Sequence, residues 1–277
     1  LNPVYANGRK IRMRYTIGET AKILGISSEL LRHYERMGII TPQRHANGYR
    51  YYDLDTIKKL TGVRRWRAMG FLLEDAEQLL TSTSRGHTLQ LYHKRLAQME
   101  QELRWQQEVQ AAMLESVREI ETAEEAVESF SVRDIPDMLR IVSQHNHEFK
   151  VCDRHRYRNW LDCMPVVCIS PGFTLDDIQE GNDTHQFGYV VALEKACQMG
   201  LDQTEGAQVI KAGPCASTVI FSKGDDHIKA TQLNFLLPLL QEKGFVPAGD
   251  AWGLTIGCFT EGADRKKYHR MFLPITV

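Results

Sequence analysis

The sequence predicts an α+β protein of several domains: a small basic helical domain, one long helix, and a mixed strand-and-helix domain whose pattern occurs twice. Three observations predict it. Positive charge is concentrated in the first quarter of the chain, Thr88 to Ser129 contains no proline or glycine, and the remainder alternates strand-like with helix-like segments at two similar spacings. With 277 residues, 43% of them hydrophobic and 25% charged, the chain can bury more than one core and is too apolar to be disordered throughout. No run of eighteen apolar residues exists, so no membrane-spanning helix is expected. The polar, basic residues 1–14 do not read as an export signal, and a soluble cytoplasmic protein is expected. Six cysteines (Cys152, Cys163, Cys168, Cys197, Cys215, Cys258) lie in the second half without tight pairing, which argues against a disulfide framework or a thiolate metal centre. No metal or cofactor is expected.

Charge separates the chain into two chemistries. Residues 1–73 hold 14 Lys and Arg against 5 acids, a net +9, and the remainder carries −10. A basic segment of that kind suits a polyanion, whose counterions are released on binding. A solvated basic surface is the blander alternative.

The local pattern of residues 15–84 gives that charge a shape. Thr16 with Glu19 three residues on is a capping box, Ile17, Ala21 and Leu24 follow at helical spacing, and Gly25 stops the helix. Ser27 or Ser28 can cap a second helix carrying Leu30, Leu31, Tyr34 and Met37, ended by Gly38. Two short helices around such a turn make a helix-turn-helix, with Arg32, His33 and Arg36 on the exposed side of the second. Asn47-Gly48 ahead of Tyr49-Arg50-Tyr51-Tyr52 signals a hairpin, which beside a helix-turn-helix is a wing. Helices at Leu54 to Met69, with Lys58, Lys59, Arg64, Arg65 and Arg67 on a basic face, and at Glu74 to Leu80 complete the segment.

These residues resemble the DNA-binding domain of the MerR family of bacterial transcription regulators. The match runs through Tyr15-Thr16-Ile17-Gly18-Glu19-Thr20-Ala21, Gly25-Ile26-Ser27, Leu31-Arg32-His33-Tyr34-Glu35-Arg36-Met37-Gly38, Pro42, Arg44, Gly48-Tyr49-Arg50, Tyr52 and Met69-Gly70-Phe71. His33 departs from it, since a second aromatic usually precedes Tyr34. The resemblance implies DNA contacts from Thr16, Arg32, Tyr34 and Arg36, from Arg44, Tyr49 and Arg50 on the wing, and from Arg64 and Arg67 after it. Arg32 is the candidate for reading a base edge, and the others position the protein on phosphates.

From residue 85 to 129, apolar residues recur at alternating spacings of three and four. Leu89, Tyr92, Leu96, Met99 and Leu103 are followed by Met113, Val117, Ile120 and Val127, with Gln106 and Gln110 in the gap. Some forty residues at about 1.5 Å each make a helix of roughly 60 Å, for which a coiled-coil partner is the natural reading. Packing along the chain's own C-terminal domain is the alternative. The resemblance implies a homodimer with paired antiparallel helices.

Residues 130–277 read as a strand over Ser131 to Val142, a helix over Asp153 to Cys163 and a strand over Gly188 to Leu193. The reading continues with strands over Gln208 to Lys211 and Ala216 to Phe221, a helix over Ile228 to Glu242, and strands over Leu254 to Phe259 and Met271 to Val277. Two strand–helix–strand units suggest a duplicated α+β domain with a ligand cleft between its halves. The histidines (His145, His147, His155, His185, His227, His269) show no catalytic spacing, so no enzyme activity is expected, although a hydrolase domain remains an alternative. This half resembles the GyrI-like effector-binding domain of multidrug-sensing MerR relatives. The resemblance implies a ligand-binding cage of aromatic rings, mapped here to Tyr157, Phe187, Phe221 and Tyr268, with Trp160, Tyr189 and Trp252 nearby, around a lipophilic, cationic small molecule. Relatives place a glutamate where this chain has Gly253, leaving Asp250, Glu194 or Glu261 to supply a carboxylate, or the cage to work without one. A neutral or anionic ligand is the alternative. The resemblance further implies an activator that distorts the promoter spacer for RNA polymerase holoenzyme when liganded.

Overall fold

The computed structural model describes the chain apart from residues 1–4, 7–8, 11–12, 45–47, 82–83, 150–153, 225, 262–263 and 277, and apart from the side chains of 5–6, 9–10, 154–156, 261 and 264. Asn47 of the hairpin signal, Cys152, the side chains of His155 and Glu261, and part of the basic N-terminal extension therefore lie outside the described residues. The chain divides into two compact units, Leu1–Leu103 and Arg104–Val277.

Capping chemistry sets the helices of the first unit. After the short antiparallel pair β1 (Tyr5–Ala6) and β2 (Arg9–Lys10), helix α1 (Ile17–Leu24) starts at a complete capping box. Thr16 Oγ1 accepts from the Glu19 N–H at 3.3 Å, and Glu19 Oε2 accepts from the Thr16 N–H at 2.8 Å. These bonds hold the Glu19 carboxyl below its usual range. Gly25, at φ 61°, closes α1 in the left-handed region. Ser27, rather than Ser28, caps α2 (Ser28–Arg36) by accepting from the Leu30 N–H at 3.0 Å. A hairpin of β3 (Gln43–Arg44) and β4 (Arg50–Tyr51) follows, then α3 (Leu54–Ala68), capped by Asp53, and α4 (Leu73–Thr81). Leu24, Leu31, Tyr34, Tyr52, Leu60, Val63 and Ala76 form the common core.

Helix α5 (Arg85–Thr122) is uninterrupted and ends seven residues before the Ser129 expected from the sequence. Val127 instead forms a parallel bridge with Val219, so it lies off the helix. Tyr92 also leaves the expected stripe: its ring lies 5.1 Å from Phe71, and its hydroxyl accepts from Trp66 Nε1 at 3.1 Å. The remaining stripe residues Leu89, Leu96, Met99, Leu103, Met113, Val117 and Ile120 are 45–63% exposed. Among the described residues no helix is long and apolar enough to cross a membrane.

The second unit is a largely antiparallel sheet with helices. Its elements are β5 (Ser131–Ile135), β6 (Met138–His145), β7 (Glu148–Phe149), α6 (Arg154–Asp162), β8 (Cys168–Phe173), α7 (Leu175–Glu180), β9 (Gln186–Ala192) and α8 (Leu193–Gln198). They continue with β10 (Gln208–Ile210), β11 (Gly213–Lys223), a 3-10 turn (Ala230–Leu233), α9 (Leu236–Glu242), β12 (Val246–Pro247), β13 (Ala251–Glu261) and β14 (Asp264–Thr276). The main strand order is β10-β6-β9-β8-β13-β14-β11-β5. Leaving aside β7, α7, the 3-10 turn and β12, the order β6-α6-β8-β9 resembles β11-α9-β13-β14, and the two sets meet where Gly172 pairs with Trp252.

Two expectations change here. The single strand over Ser131 to Val142 is two strands, because Pro136 supplies no backbone donor and the chain turns there, sending β5 to one edge and β6 towards the other. The helix over Ile228 to Glu242 is a 3-10 turn and a shorter helix. Strand β8 falls in a segment to which periodicity assigns no element, and it lies inside the sheet between β9 and β13.

Two apolar clusters hold helices to the sheet, one around Leu139, Ile141, Trp160 and Val191 and the other around Ile220, Leu236, Leu240 and Leu273. A buried ion pair secures the end of α5. Arg270 Nε donates to Glu119 Oε2 at 2.6 Å, its Nη2 donates to Thr122 Oγ1 at 3.2 Å, and Arg133 reaches Glu119 Oε1 at 3.3 Å.

Candidate nucleic-acid interface and ligand cavity

In the first unit the amphipathic pattern of α2 buries Leu31 and leaves Arg32 and Arg36 outside, both paired with Glu29 of the first turn at 3.1 and 3.4 Å. Glu35 on the same helix fixes the hairpin: Tyr52 Oη donates to its Oε1, and Arg50 Nε lies 3.4 Å from its Oε2. Burial beside this carboxylate raises the Tyr52 phenol, which therefore stays a donor. Arg44 Nη1 donates to the Gly48 carbonyl at 3.3 Å across the hairpin, where Gly48 has φ 82°. Tyr49 at the tip is 74% exposed. Thr16, Arg32, Arg44, Tyr49 and Arg50 thus line one cleft, together with Arg14, which stacks 4.6 Å over the Tyr51 ring. No sequence motif marks Arg14 as a contact, since folding alone brings it alongside Tyr51. Arg64 rests against Gly25, and Arg67 donates to the Phe71 carbonyl at 2.5 Å, so both brace helix junctions while their residues remain exposed. Tyr34 departs from expectation: it is 8% exposed and packed in the core, because it lies on the same helical face as Leu31.

In the second unit the seven proposed ring residues do not form one cage. Phe187 and Tyr189, two apart on β9, line a cavity of about 310 Å³ with Ile169, Thr255, Lys267 and His269. Tyr157 lies behind it, buried, 6.3 Å from the Tyr189 ring and donating to the Val142 carbonyl. Trp160 is wholly buried and donates to Thr204 Oγ1 at 3.1 Å. Alternation along β14 explains the rest, since Tyr268 sits between Lys267 and His269 and takes the opposite sheet face. There Tyr268 packs with Phe221 and Phe259, and Trp252 lies 4.7 Å from Phe272. Phe221 lines a separate groove with Val127 and Phe235.

Histidines that are far apart in the chain gather at the cavity. His185 and His227 stack at 5.3 Å, His147 lies 4.7 Å from His227, and Phe187 lies 6.0 Å from His269. Burial, reinforced by Lys267, pushes His269 down to about 3, and burial with His227 and His147 lowers His185. The His269 Nδ1 lies 3.1 Å from Thr255 Oγ1. No local sequence signal marks this cluster, because only the sheet topology assembles it. Among the described residues no three His, Cys, Asp or Glu are placed to hold a metal ion. Burial raises the thiols of Cys163, Cys168 and Cys215, the last to about 11, which disfavours thiolate chemistry.

Of the substitute acids whose side chains are described, Asp250 and Glu194, neither lines this cavity. Asp250 accepts from the Leu175 N–H at 3.0 Å and lines a different cavity with Arg140, and Glu194 is exposed on α8. Gly253 leaves no space for a side chain: a Cβ there would come within 2.3 Å of the Arg270 carbonyl oxygen and 2.6 Å of Met271 Sδ.

Comparison with known proteins follows the same division. The family described as "MerR HTH family regulatory protein" matches residues 15–83. The HTH-type transcriptional regulator HmrR of Sinorhizobium medicae is 31% identical over 132 residues, covering 47% of this chain and 76% of that protein. The chain belongs to the MerR family. The mercuric resistance operon regulatory protein of Bacillus cereus is 39% identical over 69 residues, 24% of this chain and 52% of that one. This MerR-family chain thus spans about half the length of several relatives it matches. A solved structure of an EcmrR–DNA complex covers 94% of this chain and 98% of its own at 15% identity, with a TM-score of 0.35 that is too low to equate the two shapes.

Proposed function

We propose that this MerR-family chain is a ligand-responsive transcription regulator that binds promoter DNA as a homodimer. The observation that carries the reading is the convergence of α2 and the hairpin on one basic, exposed cleft. In this reading Arg32 reads a base edge, Thr16, Arg44, Tyr49 and Arg50 beside it in the cleft and Arg36, Arg64 and Arg67 outside the cleft contact phosphates, and the buried Tyr34 ring serves the core. The half-exposed apolar stripe of α5 supports a second copy as the partner that covers it, giving two recognition helices and a two-fold symmetric operator.

The second unit is a GyrI-like effector domain in this reading. The paired strand–helix–strand–strand order supports duplication, and a cavity walled by Phe187 and Tyr189 supports a flat, lipophilic small molecule, bound rather than turned over. The ligand shifts the dimer towards a form that bends and untwists the promoter spacer for RNA polymerase holoenzyme, and it can do so only by its difference in affinity for the two forms.

Selection from random duplex DNA with the full chain, followed by fluorescence anisotropy at several salt concentrations, tests the DNA reading. The expected result is enrichment of a two-fold symmetric site whose affinity falls steeply with salt and is weakened by about 1–3 kcal/mol in Arg32→Ala. Enrichment of no site, or salt-independent binding, would overturn it.

A further inference from the structure

The sign of the ligand's charge follows from what already occupies the cavity, and the inference rests on the reading of that cavity as the ligand site. We propose that the cavity takes an aromatic acid, a flat ring bearing a carboxylate or sulfonate, with Phe187 and Tyr189 holding the ring and Lys267 supplying the counter-charge.

The face of Phe187 that a cationic ligand would use already carries a cation, because Lys267 Nζ lies 5.7 Å over the ring centroid. Next to that ring stand His185 at 5.8 Å and His269 at 6.0 Å, and His227 is stacked on His185. A bound cation would face Lys267 and lower the proton affinity of His185 and His269 further, whereas an anion is attracted by the ammonium. Asp226 is the single carboxylate among the described lining residues and, like Lys267, is exposed, but only Lys267 lies over the Phe187 ring. Gly253 has no room for another, since β14 backbone lies within 2.3 Å of where its Cβ would stand. The cavity, at about 310 Å³, is at the lower end of the range for ligand pockets and suits one or two fused rings.

Isothermal titration of the full chain with 2-naphthoate, 2-naphthamide and N-methylquinolinium compares an anion, a neutral molecule and a cation of similar size and shape. The expected result is saturable binding in which naphthoate exceeds both others by about tenfold or more, as a charge-assisted contact provides. Lys267→Gln should remove that advantage and leave naphthamide unchanged, and Phe187→Ala should weaken all three, with circular dichroism verifying that each variant is folded. Quinolinium binding tighter than naphthoate, or naphthoate binding unaltered in Lys267→Gln, would overturn the charge assignment while leaving the cavity as the ligand site. Failure of all three to bind, or binding indifferent to Phe187→Ala, would overturn the cavity reading itself, and this proposal with it.

Discussion

Glu35 holds two hairpin residues at once, and a single carboxylate therefore sets the position of the wing relative to α2. Glu35→Ala is expected to cost about 1.5–3 kcal/mol, the range for hydrogen bonds to a charged group, and to leave the buried Tyr52 hydroxyl without its acceptor. Amide hydrogen exchange of α1 to α3 in the full chain would register it, and Tyr52→Phe should cost less because it removes donor and unmet need together. On the selected operator, Arg32→Ala should relax preference at one base pair, with a loss of about 1–3 kcal/mol. Arg44→Ala should instead weaken all sequences alike and reduce the slope of log affinity against log salt by about one. The capping box, Gly25 and Arg32 are legible in sequence because each works over three or four neighbouring residues. Arg14 and Glu35 are not, since their roles depend on Tyr51 and on Arg50 and Tyr52, which folding brings alongside.

At the scale of elements, α5 carries two kinds of apolar residue that periodicity alone cannot separate. Tyr92 is committed to Phe71 within its own unit, whereas Leu96, Leu103 and Val117 are exposed. Replacing those three with glutamate should convert a dimer to a monomer in sedimentation equilibrium without lowering the helix content of the first unit, and Tyr92→Ala should do the reverse. The Arg270–Glu119 pair makes a different prediction, because both groups are buried. Arg270→Ala leaves the buried Glu119 carboxylate to the half-exposed Arg133 alone and should destabilise the second unit by less than the about 3–5 kcal/mol of a wholly unpaired buried charge, with Arg270→Met plus Glu119→Leu recovering much of it. Helix α6 and strands β9, β10, β11, β13 and β14 of this unit are legible from periodicity, whereas the six-residue helices α7 and α8 are too short to show one. Strand β8 was hidden by Ser-Pro-Gly, which local rules assign to a turn and which the sheet overrides by pairing it on both sides. The ring cage failed for a related reason: strand alternation decides which aromatic residue meets the cavity, and register is a property of pairs of strands.

For the second unit as a whole, stability and acidity are linked through histidines that burial keeps neutral. His269 takes a proton near pH 6.5 when unfolded and only at about 3 when folded, so between those values the unfolded chain binds more protons. Stability should therefore fall as pH drops from 6.5, and His269→Gln should flatten the dependence by up to about 1.4 kcal/mol per pH unit, as read by urea titration at pH 5 and 7.5. At Gly253 the neighbouring strand occupies the space that any side chain would need, so Gly253→Glu cannot simply install a carboxylate beside the cavity: it must first part β13 from β14, and the pairing of those two strands thereby guards the charge of the cavity they help to wall.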